Sequence, residues 1–514
     1  MLLGIDIGTS STKSLIIDER GQVIAAASSP HPIHRDRPLW SEQEPEDWWR
    51  AVVASVREVI AKASIDASQI RGVGLSGQMH GAVLLDKAAA TGGGRLAPSL
   101  RRAILWNDQR CGEQCDAIER AAGGRRALVE MVGNAALPGF TLPKLMWVRD
   151  HEPAVWSRTH VVVLPKDYIR LRLTGEIATD AAEATGMLAQ DIDRRAWNLD
   201  LLSRVGIDPG VLPPVLEACE VSGTISAWAA GETGLRAGTP VVGGSGDNQT
   251  GAVGAGAIRE GLVLATLGTS GVIYSHTSRP RKDLPKGDVP AGRLHAFCAG
   301  TGTATSREGW CVTGVMLSAA GSLQWLHDTL FPQTSFDDLM SMAASVPPGS
   351  EGLVFMPQLT GERCPYPDPR ATGGWIGLSA RHTAPHLVRS VIEGVTFTMG
   401  QILGIVRGAG IDVRAIRIGG GAAKSALWRQ MQADVYGLPV ALPNTEEGPA
   451  LGAAIMAGVG AGVWKSVQEA CDAIIKDQLV VEPGADAGSY CAVRDVHAGL
   501  YASLRGAMHR LAGE

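Results

Sequence analysis

One short pattern occurs twice in the chain, about half a chain apart: an apolar strand, a turn of glycine, threonine and serine, and a second apolar strand. The first copy predicts strands at Leu2–Ile7 and Ser14–Ile17 around the turn Gly8–Lys13. The second copy lies within Leu262–Ile273, with its turn at Gly268–Gly271. A repeat this short also arises by chance. In a chain of 514 residues, which is too long for a single core, it predicts two similar halves facing each other across a cleft.

The first turn is rich in backbone N–H groups and hydroxyl donors, and such a tip can hold a phosphate group as an anion nest. Asp6 lies at the end of the preceding strand, where its carboxylate could hold a metal ion that bridges phosphates. A plain hairpin with a polar tip is the alternative. An aspartate in an otherwise apolar strand argues against that alternative, because a buried carboxylate needs a partner. In the second copy Thr266 stands where the first copy has the aspartate.

The stretch Val241–Gly254 places Asp247 among glycines, which let the backbone turn tightly and leave room for a ligand. A carboxylate held beside a ligand can accept a proton from it. Considered alone, the stretch is better explained as a solvated turn, since Asp, Asn and Gly are ordinary turn residues. The choice between a turn and a catalytic base therefore depends on the rest of the chain.

Two further strand ends carry groups suited to a ligand. Met79 and His80 follow a short buried strand, and open α/β sheets bind ligands at the carboxyl ends of their strands. Trp106 and Asn107 close another strand, where an aromatic ring beside polar groups suits a polyhydroxylated ligand. Structural roles compete with these readings: a lone histidine is more often structural, and Asn107 or Asp108 could instead cap a helix.

A third glycine turn ends the predicted strand Ile416–Gly421 and precedes the predicted helix Ala426–Tyr436. A glycine turn at a helix N-terminus can bind a nucleotide or another anion. It is not a Walker A loop, because no glycine precedes Lys424 at the required spacing. Further helices are predicted at Pro45–Lys62 and at Gly448–Met456, and the small residues of the latter suit close packing.

Composition limits the classes of partner. A formal net charge of −5 gives no electrostatic reason to expect a nucleic acid or a membrane surface as partner. The eight cysteines form no zinc-type pair and predict free thiols in a reducing compartment. The N-terminus has no basic region typical of a signal peptide, and no apolar run approaches the about 18 residues of a membrane span. These features predict a cytoplasmic protein.

Taken in order, these segments resemble the FGGY family of carbohydrate kinases over nearly the whole chain. The resemblance rests on GIDIGTSSTK, SGQMHG, ILWNDQR, GGSGDN, LGTSG, TGVMLSAAGSLQW, PQLTGER and GGGAAKS, followed by Trp428 and Ala433–Asp434. Within the family, SGQMHG and LSAAGSLQW are most similar to the xylulokinases.

The resemblance implies an α/β fold of two actin-like ATPase (ribonuclease H-like) domains that flank a central catalytic cleft. Residues 1–254 would hold the sugar site, the first phosphate loop and the catalytic aspartate; residues 255–514 would hold the second phosphate loop and the adenosine site. The implied reaction is phosphorylation of D-xylulose by Mg-ATP. Two alternatives stay open: a kinase of another ketose or polyol, such as ribulose, erythrulose or glycerol, and a non-catalytic actin-like module that senses a sugar.

The implied roles fall on specific residues. Asp247 is the base that accepts the proton of the sugar hydroxyl, and Asp6 helps to hold Mg²⁺. The predicted sugar site comprises Met79, His80, Trp106, Asn107, Asp247 and Asn248. The predicted ATP site comprises Gly8, Thr9, Ser10, Ser11, Thr12, Lys13, Gly268, Thr269, Ser270, Gly420, Gly421, Ala422 and Lys424.

The sequence departs from the family pattern beside the catalytic aspartate. Ser245 breaks the usual glycine run, and Gln249–Thr250 stands where small residues are common. These differences bear on the identity of the sugar more than on the chemistry. The expected partners are a sugar and ATP, with no nucleic acid and no membrane, and a homodimer is left open.

Overall fold

The computed structural model describes residues 1–95 and 98–512, which form an α/β protein built on two mixed sheets. The strands of the N-terminal half are β1 (Leu2–Ile7), β2 (Ser11–Ile17), β3 (Val23–Pro30), β4 (Glu42–Gln43), β5 (Gly72–Gly77), β6 (Val83–Leu85), β7 (Ala103–Ile104), β8 (Val161–Val163), β9 (Thr179–Asp180), β10 (Gln190–Asp191), β11 (Ala196–Trp197), β12 (Val215–Leu216), β13 (Val221–Thr224), β14 (Pro240–Val242) and β15 (Ser245–Gly246). Those of the C-terminal half are β16 (Leu262–Leu267), β17 (Gly271–Thr277), β18 (His295–Cys298), β19 (Trp310–Met316), β20 (Val354–Met356), β21 (Gly374–Ile376), β22 (Ala415–Gly419), β23 (Val440–Pro443) and β24 (Asp477–Val481).

The helices surround these sheets. In the N-terminal half they are α1 (Pro45–Ala63), α2 (Lys87–Thr91), α3 (Gly112–Ala122), α4 (Arg125–Val132), α5 (Thr141–His151), α6 (Pro153–Trp156), α7 (Pro165–Thr174), α8 (Ala181–Gly186), α9 (Leu199–Val205), α10 (Ala227–Thr233) and α11 (Asp247–Gly254). In the C-terminal half they are α12 (Ala320–Leu330), α13 (Phe336–Ala344), α14 (Ala384–Gly408), α15 (Ala426–Tyr436), α16 (Gly448–Gly460), α17 (Val467–Ile474) and α18 (Cys491–Leu511).

The two large sheets have the same core topology. The first runs in the order β13-β14-β5-β1-β2-β3, and the second in the order β18-β19-β17-β16-β22-β23-β24. In each, three antiparallel strands are followed by two that run parallel to the central strand: β3-β2-β1 then β5-β14, and β19-β17-β16 then β22-β23. The repeated hairpins, β1-β2 and β16-β17, are thus equivalent, and the prediction of two similar halves is confirmed.

The helix of small residues, α16, packs across the first sheet although it lies late in the chain. A Cβ atom at Gly4 in β1 would collide with the carbonyl oxygen of Ala450, and one at Gly74 in β5 with that of Ala453. The predicted close packing is confirmed, because only glycines on these two strands leave room for the helix backbone. The C-terminal half of the chain therefore supplies a helix that covers the sheet of the N-terminal half.

The structure excludes two of the alternatives that the local sequence left open. Asp247 does not lie in a solvated turn; it is the first residue of α11. Neither Asn107 nor Asp108 caps a helix, since α3 begins at Gly112. The carboxylate of Asp108 is instead buried and accepts hydrogen bonds from the Ser41 N–H and the Arg110 guanidinium. This burial follows from tertiary packing that the local sequence does not reveal.

All eight cysteines are free, as predicted. Among the described residues, no helix combines the length and the apolar composition that crossing a membrane requires.

Candidate active site

Two carboxylates, from opposite ends of the first 250 residues, meet at the end of the first sheet. Asp6 lies on β1, whose neighbour β5 pairs on its other side with β15, the two-residue strand just before Asp247. Two hydroxyl groups connect the carboxylate-bearing elements: the Ser76 hydroxyl donates to Asp6 Oδ1 (2.7 Å) and lies 2.7 Å from the Thr250 hydroxyl. Thr250 belongs to α11, and its contact with Ser76 helps to hold that helix against the sheet. This threonine is one of the positions at which the sequence departs from the family pattern.

The environment of this pair raises the pKa of both carboxyl groups. Burial, and then the negative charge of Asp6, raise the pKa of Asp247 to about 7. Burial likewise raises the pKa of Asp6 to about 6, although the hydrogen bond from Ser76 and the positive charge of Lys13 oppose the shift. A carboxylate whose pKa lies near the working pH is suited to general-base catalysis. The structure therefore favours the catalytic interpretation of Asp247.

A cleft of about 890 Å³ opens beside Asp247. Its walls include five of the residues predicted to bind ATP, Gly268, Ser270, Gly420, Gly421 and Lys424, together with Asp247 and Asn248. Parallel pairing of β16 with β22 places the glycine turn that follows Gly419 beside Thr266, next to the second phosphate loop. Of the remaining residues predicted there, Ala422 is buried, and the Thr269 carbonyl accepts the Ala319 N–H.

The first predicted phosphate loop is shorter than predicted, because β2 begins at Ser11 and leaves only Gly8–Ser10 as the hairpin tip. In this tip the Gly8 N–H donates to the Ser11 carbonyl (3.0 Å). Ser10 is exposed at this tip, whereas Thr12 is fully buried in β2 and faces away from solvent. Lys13 lies opposite Asp6 across the hairpin and forms an ion pair with Glu447.

Trp106 and Thr9 connect the predicted sugar side to this loop. The Trp106 indole N–H donates to the Thr9 hydroxyl (3.0 Å), which fixes the ring over the hairpin tip. Next to it, Asn107 Oδ1 is buried and has no hydrogen-bond partner among the described residues. An unpaired amide oxygen in this position can accept a hydrogen bond from a ligand hydroxyl.

His80 has a left-handed backbone (φ 68°), which is strained for a residue other than glycine, and strain of this kind clusters at ligand sites. Burial, and then the charge of Lys144, hold the pKa of His80 well below its usual value, so the ring is neutral. Its Nδ1 lies 2.8 Å from the Gly186 carbonyl, which can only accept, so Nδ1 carries the proton. Nε2 can therefore accept a hydrogen bond from a ligand hydroxyl. Beside it, the Asn248 amide donates to the sulfur of the buried Met79 (3.6 Å).

The sequence reasoning missed Lys144, which holds His80 in this conformation. Its ammonium group is fully buried and donates to the carbonyls of His80 and Gly139, at 2.7 Å each. The Thr141 hydroxyl donates to the same His80 carbonyl (3.1 Å). Burial lowers the pKa of Lys144 to about 7. Nothing in the local sequence TLPK indicates that this lysine is buried.

A group of buried charges, also missed, lies beside β15, the strand that precedes Asp247. Lys166 pairs with Asp180 (2.9 Å), and Asp180 accepts a hydrogen bond from the Ser245 hydroxyl (3.0 Å). Ser245, which breaks the glycine run, therefore ties the strand before Asp247 to this group. Glu183 lies fully buried between them, and burial raises its pKa well above the usual value. The ion pair and the hydrogen bond from Ser245 anchor β15, the strand that leads into Asp247.

The carboxylate pair could hold Mg²⁺ together with water and phosphate oxygens. It is too small a donor set for a metal ion whose ligands all come from the protein. Among the described residues, no cluster of three or more metal-ligating side chains is found. Mg²⁺ at phosphate-transfer sites is commonly held by one or two carboxylates, with water and the substrate phosphates as its other ligands. Asp6 and Asp247 match this donor set.

Comparison with known proteins gives consistent similarities along the chain. Residues 1–254 match the N-terminal domain of the FGGY family of carbohydrate kinases, and residues 263–461 match its C-terminal domain. The chain is 36% identical to the xylulose kinase of Bacillus subtilis (strain 168) over 97% of this chain and 96% of that protein. It is 35% identical to the xylulose kinase of Escherichia coli (strain K12), over 98% and 99% respectively. The crystal structure of a xylulose kinase from Rhodospirillum rubrum superposes with a TM-score of 0.87, at 29% identity and 99% coverage of both chains.

Proposed function

The chain belongs to the FGGY family of carbohydrate kinases, and from this premise we propose that it phosphorylates D-xylulose with ATP at the C5 hydroxyl. Its enzyme class and its fold of two actin-like domains agree with the sequence prediction. The observation that carries the proposal is the carboxylate of Asp247, with a pKa near 7, beside both the nucleotide cleft and the wall that bears His80. The names of relatives more than a third identical support D-xylulose as the sugar.

In the proposed reaction, the C5 hydroxyl lies against Asp247, which takes its proton as the oxygen attacks the terminal phosphoryl group of ATP. The bond from that phosphorus to the bridging oxygen breaks, and ADP leaves. Phosphoryl transfer leaves a protein mostly with positioning and charge stabilisation to perform. The hairpin tips at Gly8–Ser10 and Gly268–Ser270 would supply N–H and hydroxyl donors for the phosphates. The glycine turn at Gly420–Lys424 would lie beside the adenosine.

Mg²⁺ would be held by Asp6, with Asp247 nearby, and would neutralise charge on the phosphates. The hydrogen bond from Ser76 fixes Oδ1 of Asp6 and leaves the other carboxylate oxygen for the ion. The ion pair between Lys13 and Glu447 joins the first hairpin to the segment before α16. Division into domains at residues 1–254 and 255–514, a cytoplasmic location and the oligomeric state stay predictions.

A panel assay of ATP consumption tests the proposal. Wild-type enzyme is incubated with Mg-ATP and, separately, D-xylulose, D-ribulose, erythrulose and glycerol, with Asp247→Asn as the matched inactive control. We expect the highest kcat/KM with D-xylulose and formation of a 5-phosphate. A clear preference for another ketose or a polyol would contradict the choice of sugar. A wild-type protein that binds sugar but transfers no phosphate would support the non-catalytic sensor instead.

A further inference from the structure

The segment Pro357–Pro369, which contains the motif PQLTGER, has no role in the proposed reaction, yet the structure holds it rigidly. Glu362 and Asp368 pair through their backbones, at 2.9 and 3.0 Å. The Glu362 carboxylate also accepts the N–H groups of Leu317 (2.9 Å) and Arg363 (2.8 Å). The backbone around Arg363 is therefore fixed to the end of β19, so that the direction of this side chain is set by the fold.

The Arg363 side chain reaches from the C-terminal half to the part of the N-terminal half that bears Trp106 and His80. We call this part the sugar wall. Its Nη2 lies 3.5 Å from the position that a Cβ atom at Gly139 would occupy, and the Trp106 carbonyl oxygen lies 2.6 Å from the same position. Lys144 donates to the Gly139 carbonyl, so this glycine lies between Trp106 and the support of His80. The absence of a side chain at Gly139 leaves the space that the guanidinium approaches.

The electrostatic neighbours of Arg363 agree with this placement. Its positive charge contributes to the lowered pKa values of His80, Lys144 and His295. The rings of His80 and His295 both pack against Phe140, at centroid distances of 4.9 and 5.6 Å. The main charge acting on Asp247 comes from Asp6 instead. Arg363 thus acts on the groups around His80, whereas the charge that acts on Asp247 is that of Asp6.

The guanidinium lacks a partner in the described part of the chain. None of its nitrogen atoms makes a hydrogen bond or an ion pair with a described residue, although the side chain is part-buried. Burial lowers its pKa, and the charge of Glu362 opposes the shift. A part-buried guanidinium with no partner among the described residues has donors left for the oxygen atoms of a ligand. The unpaired Asn107 Oδ1 beside Trp106 is a complementary acceptor on the same wall.

We propose that Arg363 is a substrate-binding residue that donates hydrogen bonds to the oxygen atoms at the end of the sugar remote from the phosphorylated hydroxyl. The inference rests on the proposed kinase function and adds the recognition of the sugar's far end. A guanidinium presents its donors in a fixed fork, which suits two neighbouring oxygens such as a ketose carbonyl and the adjacent hydroxyl. Because Arg363 and His80 belong to opposite halves, a sugar bound between them bridges the cleft.

The test compares Arg363→Gln and Arg363→Lys with wild type, and uses Arg279→Gln, an exposed arginine outside the site, as the control for loss of one positive charge. We expect Arg363→Gln to raise both the KM and the calorimetric Kd for D-xylulose by about tenfold or more, the scale of losing a charged hydrogen bond. Its KM for ATP should stay within about twofold of wild type, since Arg363 is not among the residues that line the nucleotide cleft. The KM and Kd of Arg363→Lys for D-xylulose should lie between those of wild type and Arg363→Gln. Those of Arg279→Gln should match wild type.

Several outcomes would overturn the inference. An unchanged KM and Kd for the sugar would exclude substrate binding by Arg363, as would a rise confined to the KM for ATP. If Arg363→Gln fails to fold by circular dichroism, the comparison is made on Arg363→Lys, whose normal sugar affinity would have the same meaning. If the wild type prefers another sugar, the proposed substrate fails separately, and the same variants are measured with that sugar.

Discussion

At the scale of single residues, the protonation of Asp247 controls the proposed chemistry. Its carboxyl group has a reference pKa of 3.8, and burial with the nearby Asp6 raises this to about 7. Below that pH the group is protonated and cannot act as a base. We expect kcat/KM for the sugar to fall about tenfold per pH unit below this pKa, as measured at saturating Mg-ATP. A rate independent of pH between 5 and 8 would contradict the assignment.

Asp247→Asn separates the catalytic role from the structural one. Turnover should fall about 100-fold or more, the scale of losing a general base, while sugar binding persists.

The same change, Asp247→Asn, should stabilise the fold. A raised carboxyl pKa costs stability as pH rises from the reference 3.8 through the folded value of about 7, because only the unfolded chain ionises freely. The melting temperature of the variant, relative to that of the wild type, should therefore increase from pH 5 to pH 8. Equal melting temperatures at pH 8 would argue against the raised pKa.

His80 gives a second prediction at this scale. Its Nδ1 is occupied by the Gly186 carbonyl, so one ring nitrogen is left for the sugar. His80→Ala should raise the KM for D-xylulose about tenfold, because a substrate hydroxyl loses its acceptor in the cleft, with little change in the KM for ATP. His160→Ala, at an exposed histidine, is the control and should have no effect. Impairment for ATP alone would place His80 outside the sugar site.

At the scale of elements, the contact between α16 and the first sheet supports the site. The strands β1 and β5 carry Asp6 and Ser76, and α16 also packs against α11, which begins at Asp247. A single helix from the C-terminal half therefore supports both carboxylate-bearing elements. Its register depends on glycines that allow close backbone contact.

Gly74→Ala tests this contact. The added methyl group would meet the carbonyl oxygen of Ala453 in α16, and overpacking of this kind costs about 1–3 kcal/mol or more in the free energy of unfolding. Gly404→Ala in α14 is the matched control, since nothing lies within 4 Å of its Cβ position. That change should be neutral or stabilise the protein by up to about 1 kcal/mol. Urea denaturation compares the two; equal midpoints would show that the helix adjusts without cost.

At the scale of the whole molecule, the site has contributions from both halves. The proposed sugar wall bears His80 and Trp106 from the first half and Arg363 from the second. The cleft proposed to hold the nucleotide runs from Asp247 to the turn after β22. Closure of such a cleft excludes water and limits wasteful hydrolysis of ATP.

Closure can be measured in solution. We expect D-xylulose with a non-hydrolysable ATP analogue to lower the radius of gyration by small-angle X-ray scattering, relative to the free protein. Ligand at 100 times its Kd should also stabilise the fold by about 2.7 kcal/mol. A stabilising sugar that leaves the scattering unchanged would show that the halves do not move, and closure would then be wrong.

The sequence by itself determined the local elements and much of the site. Turn residues and apolar alternation act between chain neighbours, so the hairpin around Gly8–Lys13, the helix Ala426–Tyr436 and the polar strand ends at Met79 and Asn107 were visible in the sequence. The repeated pattern also predicted the two equivalent sheets. The resemblance of the motifs then pointed to Asp247 as the catalytic base.

Only the tertiary structure decided which distant residues meet. The distance along the chain between Asp6 and Asp247, or between Gly139 and Arg363, is bridged by strand pairing and helix packing that no local pattern encodes. The raised pKa of Asp247 arises from burial and from a charge on another strand. The burial of Lys144 depends on the distant segment around His80, whose carbonyl accepts a hydrogen bond from its ammonium group. Such properties belong to the low-dielectric interior that forms when the halves fold, and short motifs do not carry them.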